Sequence, residues 1–487
     1  MCWIMSKYTR VIASLLSAAA LLTAGAFQSA QATSSATHRV CASGCPFMSI
    51  QAAINAATPG DTIEIASGTY SETLTISIAV TLAGGYLGAP TWAQGPAGSI
   101  SVIRGDQTHS VITISGAPAA PLLVVLRNVR IENGRGAPNG GGINARFVDL
   151  AIADSIIAGN TTTATIENDM ARGGGLYLEA GTLEIDRSVF QDNAVACTGL
   201  YCPITDGGGV FVTGTLSARI NNSTFNNNSG WVGASIAGVN ATVFISGSTF
   251  LGNSGAYGAG VYSIGSIVTV TASSFSRNWA GGGAVLASYF NASTTYERNA
   301  LVDNSAARAI VETNNDQQLR LVNNVLLANT LVYSNSGSAL IYAHATNGLI
   351  AHNTIAAPRM RSPEQPMIYL VFGGGGYELV NNVLVSATVG ITTSSGVSYT
   401  LRNTIMHRIA TSLGGATPII SESLMLADPL LISDSIDGRL RTGSPAINAG
   451  VPLIADDLTG LPRDAQPDLG AYEYVAIRLM FLPLTVR

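Results

Sequence analysis

A short phrase returns again and again along the middle of this chain, and its spacing leaves little freedom of architecture. It reads Asp154-Ser155-Ile156-Ile157-Ala158-Gly159-Asn160, then Arg187-Ser188-Val189-Phe190-Gln191-Asp192-Asn193. Copies ending at Asn228, Asn253 and Asn278 follow, and less perfect ones surround Asn299, Asn324, Asn353, Asn382 and Asn403. From Asn160 through Asn329 the terminal Asn residues are 33, 35, 25, 25, 26 and 25 positions apart. A unit of about 25 residues is too short for a strand–helix–strand crossover of roughly 30 or more, and holds short strands joined by turns instead. Such a unit cannot bury its own apolar face, so the copies must stack.

Aligned, the phrases give columns. Two positions after the repeated Ser or Asn stand Ile157, Phe190, Phe225, Phe250, Phe275, Leu301, Leu326, Ile355, Leu384 and Ile405. Three positions before it stand Ile152, Ile185, Ile220, Ile245, Val270, Tyr296, Leu321, Ile350 and Leu379. Alternation at period two means strands with one face turned inward, and like residues in a column place each strand over its counterpart one coil away, at ~4.8 Å. The polar column itself is Ser155, Ser188, Ser223, Ser248, Ser273, Asn299, Asn324, Asn353, Asn382 and Asn403. It is expected at a bend, bonded to backbone or to itself as a structural ladder. Gly140-Gly141-Gly142, Gly173-Gly174-Gly175 and Gly207-Gly208-Gly209 mark a second corner and lack the Lys of a phosphate-binding loop. With 47% hydrophobic and only 11% charged residues, the surface must be made of hydroxyls and amides. The net charge of −5 gives no electrostatic case for nucleic acid.

The ends carry their own signals. Phe47 to Ala57 has apolar residues at helical spacing, stopped by Thr58-Pro59-Gly60-Asp61, as a short helix lidding the core would have. Ser49-Ile50-Gln51-Ala52-Ala53-Ile54, Pro59-Gly60-Asp61-Thr62-Ile63 and Gly68-Thr69-Tyr70 together resemble the start of bacterial pectin-lyase-like β-helix proteins. The Gly-rich corner with Phe190-Gln191-Asp192-Asn193 and Phe225-Asn226-Asn227-Asn228 resembles the repeats of polymorphic outer-membrane proteins. Asp428-Pro429, Gly443-Ser444-Pro445-Ala446-Ile447-Asn448-Ala449-Gly450, Asp457-Leu458-Thr459-Gly460, Arg463 and Pro467-Asp468-Leu469-Gly470-Ala471-Tyr472-Glu473 resemble the choice-of-anchor Q region of bacterial surface proteins. These resemblances imply an all-β fold, a single-stranded right-handed parallel β-helix with a short N-terminal capping helix.

Lys7 and Arg10 precede the apolar stretch from Val11 to Phe27, and Ala30-Gln31-Ala32 offers a cleavage site, so residues 1–32 read as a signal peptide. The β-helix is expected over 33–420, the choice-of-anchor Q-like region closing it over 421–474, and an apolar tail over 475–487. No later run reaches the ~18 apolar residues of a bilayer span. The mature chain is therefore expected to be secreted or held at the cell surface, without a transmembrane span. In that setting the local pairs Cys41/Cys45 and Cys197/Cys202 suit two disulfides.

Catalysis on stacked coils needs acids at matching positions of neighbouring coils, yet Asp154 is followed in its column by Arg187, Asn222, Gly247, Ala272 and Arg298. The five His are scattered, and no set of residues has metal-ligand spacing. The best ligand-binding candidates lie in the two long units, Glu167, Asp169 and Arg172 in the first, Tyr201 and Asp206 in the second. Their acids could bind a sugar or Ca²⁺, the one cofactor they would suit, with Tyr201 as a stacking platform. The plainer reading is a stapled loop with an Arg172–Asp206 surface pair. The function expected is an exported, adhesin-like scaffold binding extracellular polysaccharide, matrix or a surface protein without catalysis. The alternative is a lyase or glycoside hydrolase acting on an acidic polysaccharide.

Overall fold

The computed structural model describes residues 35–136, 138–164, 170–197, 205–333, 337–415 and 420–475. The signal peptide, Glu167, Asp169, Tyr201, Cys202 and the tail beyond Val475 lie outside these residues.

Alternation makes the strands, and register stacks them. One coil runs through Val261–Ile264, Ile267–Thr271 and Ser274–Ser276, its first, second and third strands. A fourth strand of two residues, Trp279–Ala280, adds to the three short strands that fit the repeat. Each pairs in parallel with its counterpart in the next coil, Val268 with Thr294 and Phe275 with Leu301. The third-strand core row is Ile157, Phe190, Phe225, Phe250, Phe275, Leu301, Leu326, Ile355 and Leu384, all in register. Its four Phe rings stack nearly parallel, with centroids 5.2, 5.0 and 4.4 Å apart.

The corners are held by side chains that act as extra backbone. Ser155 N donates to Ser188 Oγ (3.2 Å), Ser188 N to Ser223 Oγ (3.1 Å), and so on to Ser273. From Ser273 N to Asn299 Oδ1 (3.0 Å) the column changes to amides, which continue through Asn324 and Asn353 to Asn382. A second ladder uses the phrase-ending Asn residues. Asn253, for example, donates from N and Nδ2 to Asn278 Oδ1 and from Nδ2 to Phe225 O. A buried amide with all its hydrogen bonds made is neutral to stabilising, whereas a stranded one costs roughly 1–3 kcal/mol.

Asn403 corrects the expected column. In the last coils Val383 pairs with Ile405 and Leu384 with Met406, so Thr404 follows Asn382 and Met406, not Ile405, joins the core row. The interval from Asn382 to Asn403 is shorter than the repeat, and a one-residue slip turns each side chain to the opposite face. Asn403 Nδ2 therefore points out of the coil, to Ala449 O at 2.8 Å.

Helix α1, Ile50–Ala56, buries Ile50, Ala53 and Ile54 against the first coil. Ser49 caps it, and the Glu72 carboxylate accepts from Ile50 N and Gln51 N, filling donors that a helix start leaves open. Cys41 and Cys45 are disulfide-bonded just before it. After the last coil the chain turns back along the flank. Leu431, Leu440, Ala446, Leu469 and Ala471 pack on the outward side chains Val325, Leu327, Val383 and Val385 of the third strands. Three amides tie this clasp down: Asn323 Nδ2 to Asp456 O, Asn381 Nδ2 to Val451 O, and Asn403 Nδ2 to Ala449 O. No helix among the described residues is long and apolar enough to cross a membrane.

Candidate functional site

The two long units leave the coil at one glycine corner and return to it in register, with Ala171 beside Thr205 and Arg172 beside Asp206. Glycine is required there. A Cβ on Gly174 would sit 2.3 Å from Ala194 O and 2.6 Å from Gly208 O. Of the five sequence-derived candidates, Arg172 and Asp206 are placed next to each other, and Glu167, Asp169 and Tyr201 lie outside the described residues. The pair is not the surface pair expected. Asp206 is 6% exposed, its Oδ1 has no hydrogen-bond partner, and Arg172 Nε stands 3.8 Å from its Oδ2. The Arg172 guanidinium lies over the Phe211 ring, 4.9 Å from its centroid. Burial pushes the Asp206 carboxyl up to about 6, with Arg172 only partly opposing it.

Phe211 belongs to an outward column of the first strands that residue spacing alone conceals. Parallel register carries it from Tyr177 through Phe211, Ala237, Tyr262, Ala287, Glu312 and Tyr342 to Tyr369. Tyr177 stacks on Phe211 at 5.7 Å, and Tyr262 meets Tyr289 of the neighbouring column at 5.4 Å. Arg308 lies 4.3 Å from the Tyr342 centroid, with its Nη1 3.0 Å from Glu312 Oε1. Glu312 is fully buried, and desolvation pushes its carboxyl up while Arg308 holds it back. The column could have been found by aligning outward positions as well as inward ones.

A trough of about 770 Å³ opens on the second-strand face of the later coils. Ser293, Thr295, Gln318, Asn347 and Thr400 line it with hydroxyls and amides, and Arg320, Glu378 and Arg402 supply charge. Arg320 Nε is 3.2 Å from Glu297, and Arg402 Nε is 3.7 Å from Glu422. Beneath the trough Tyr377 turns inward, where its hydroxyl accepts from Ala345 N at 2.8 Å. The trough crosses five successive strands of the stack. Four spacings of ~4.8 Å make it roughly 19 Å long, a length for an oligomer rather than a single small molecule.

Elsewhere the conspicuous residues are spent on structure. His352 is buried, its Nε2 2.8 Å from Asn381 Nδ2, and burial lowers it to about 3. His344 pairs with Asn314, and His407 lies 3.6 Å from Asp428, so the three do not converge. Asp457 Oδ1 accepts from Thr459 N and Leu461 N, and its Oδ2 from Glu473 N. Arg463 is buried between Glu473, Asn323 and the Gly470 carbonyl. These residues knot the clasp together. Among the described residues, no group of three or more His, Cys, Asp or Glu is arranged to hold a metal ion.

No protein-family model matches the chain, and no curated protein matches it in sequence. Among solved structures it is similar to tailspike protein 3 of bacteriophage CBA120, at 13% identity and a TM-score of 0.34 over 85% of this chain. The chain spans 65% of that tailspike's length. It is similar to pectate lyase Pel9A at 13% identity and a TM-score of 0.27, covering 91% of this chain and 98% of that one. A PL6 family polysaccharide lyase from Pseudopedobacter saltans gives 11% identity and 0.29, over 90% and 100%. The stacked coils, paired in parallel throughout, form a parallel β-helix. Likeness this distant says nothing of activity.

Proposed function

We propose that the chain is an exported scaffold, secreted or displayed at the cell surface, that binds extracellular glycans, matrix or a surface protein without catalysis. The trough carries this reading. It is open, long enough for several sugar units, and lined by the hydroxyls, amides and guanidinium groups that exchange hydrogen bonds with sugars. Two of its charged groups lie beside acids, Arg320 beside Glu297 and Arg402 beside Glu422. The resemblance of residues 428–473 to the choice-of-anchor Q region of bacterial surface proteins is what supports display outside the cell. Titration calorimetry of the full chain against polygalacturonate and a neutral β-glucan tests it. Binding without turnover, weakened at least fivefold by Arg320→Ala or Arg402→Ala, is the expected result. Unchanged affinity in both variants would remove the trough from the reading.

One observation favours a second reading, a polysaccharide lyase or hydrolase. A carboxyl at about 6, beside a guanidinium, is poised for proton transfer near neutral pH. Unsaturated products or new reducing ends, abolished by Asp206→Asn, would favour it over the scaffold.

A further inference from the structure

Glu312 is expensive where it stands. Its side chain is fully buried on the outward face of the first strands, and neither carboxylate oxygen has a well-aligned hydrogen bond, the Tyr289 hydroxyl and Arg308 being the groups that favour its charge. Arg308 Nη1 is 3.0 Å from Oε1 but off the line of a hydrogen bond. Burying a carboxylate in this way costs stability that a Met of similar size would not. Such a cost at a packed position points to function rather than to packing.

What the arrangement achieves is to hold Arg308. The guanidinium is fixed between the Glu312 carboxylate and the Tyr342 ring, yet its side chain is 36% exposed. Nη1 faces Glu312, and the exposed part of the fork can take a planar acceptor arriving from solvent. Tyr262, Tyr289, Tyr342 and Tyr369 flank it across successive coils, each half-buried. A half-buried Tyr offers an apolar ring surface with a polar tip, which suits a sugar ring and its hydroxyls. We propose that this strip is a second glycan-contact surface, on which Arg308 takes the carboxylate of a uronate residue and the tyrosines contact the adjoining sugars. The inference rests on the glycan-binding reading but uses a different face from the trough, and Glu312 is its positioning residue.

The test uses the full chain with Arg308→Ala, Glu312→Met and Glu312→Gln, read by affinity for polygalacturonate and for a neutral β-glucan and by melting temperature. Affinity for the uronan at least tenfold weaker in all three is expected, with the neutral glucan unaffected and the melting temperature of Glu312→Met held or raised. A purely structural Glu312 would lower both together, and binding loss that tracks a falling melting temperature overturns the proposal. Parent-like uronan binding in these variants, while Arg320→Ala weakens it, overturns the strip and leaves the trough standing. A parent chain that binds neither polysaccharide overturns both.

Discussion

Phe250 is sandwiched between the rings of Phe225 and Phe275 and is fully buried. Its neighbours are fixed by backbone pairing on both sides, so a cavity there cannot collapse. Phe250→Ala should cost about 3–5 kcal/mol by urea denaturation, the range for truncating a buried aromatic. Asp206 makes a different prediction. Its carboxyl is raised to about 6, so between an unfolded value of roughly 4 and that folded value the native chain holds a proton the unfolded chain has lost. Stability should therefore fall as pH rises through this window, by on the order of 2 kcal/mol. Asp206→Asn should flatten that slope when denaturation midpoints are compared at pH 4.5 and 7.5. Asp316 works in the same direction, since burial raises it while Ser288 and Thr294 hydroxyls donate to it. A variant series separates the two.

At the scale of the element, each ladder rung serves two coils. Asn278 Oδ1 accepts from the N and Nδ2 of Asn253, and its own Nδ2 reaches Phe250 O and Asn304 Oδ1. Asn278→Ala should strand donors on Asn253 at about 1–3 kcal/mol. Hydrogen exchange should show the loss of protection centred on residues 250–280. The rungs at Ser155 to Asn382 and the Phe row were legible because inward positions repeat residue type as well as spacing. The capping helix was legible too, although it begins at Ile50 because Ser49 caps it and Phe47 pairs with Val40 instead. Asn403 was misread because a short last interval shifts the register without changing the residue type. The outward column of Tyr262, Glu312 and Tyr342 escaped notice for the opposite reason. Its residue types differ from coil to coil, and only backbone pairing shows that they share a face.

Across the whole molecule, the flank clasp replaces solvent on the third-strand face of the later coils. Its centre is Arg463, buried with Glu473 at 2.9 Å and reaching back to Asn323 Oδ1 at 2.9 Å. Removing one partner of a buried pair leaves the other uncompensated, so Arg463→Ala should cost about 3–5 kcal/mol locally. Limited proteolysis should then cut within 441–474 while circular dichroism of the coils persists.

In a stack of coils each unit ordinarily feels only the units above and below it, and unfolding can creep in from an end. The clasp departs from that rule, because Asn323, Asn381 and Asn403 belong to different coils and are bound to one segment. It acts as a splint. Under mechanical load the coils carrying those amides should let go together, in one large step, whereas the coils before them peel away one by one.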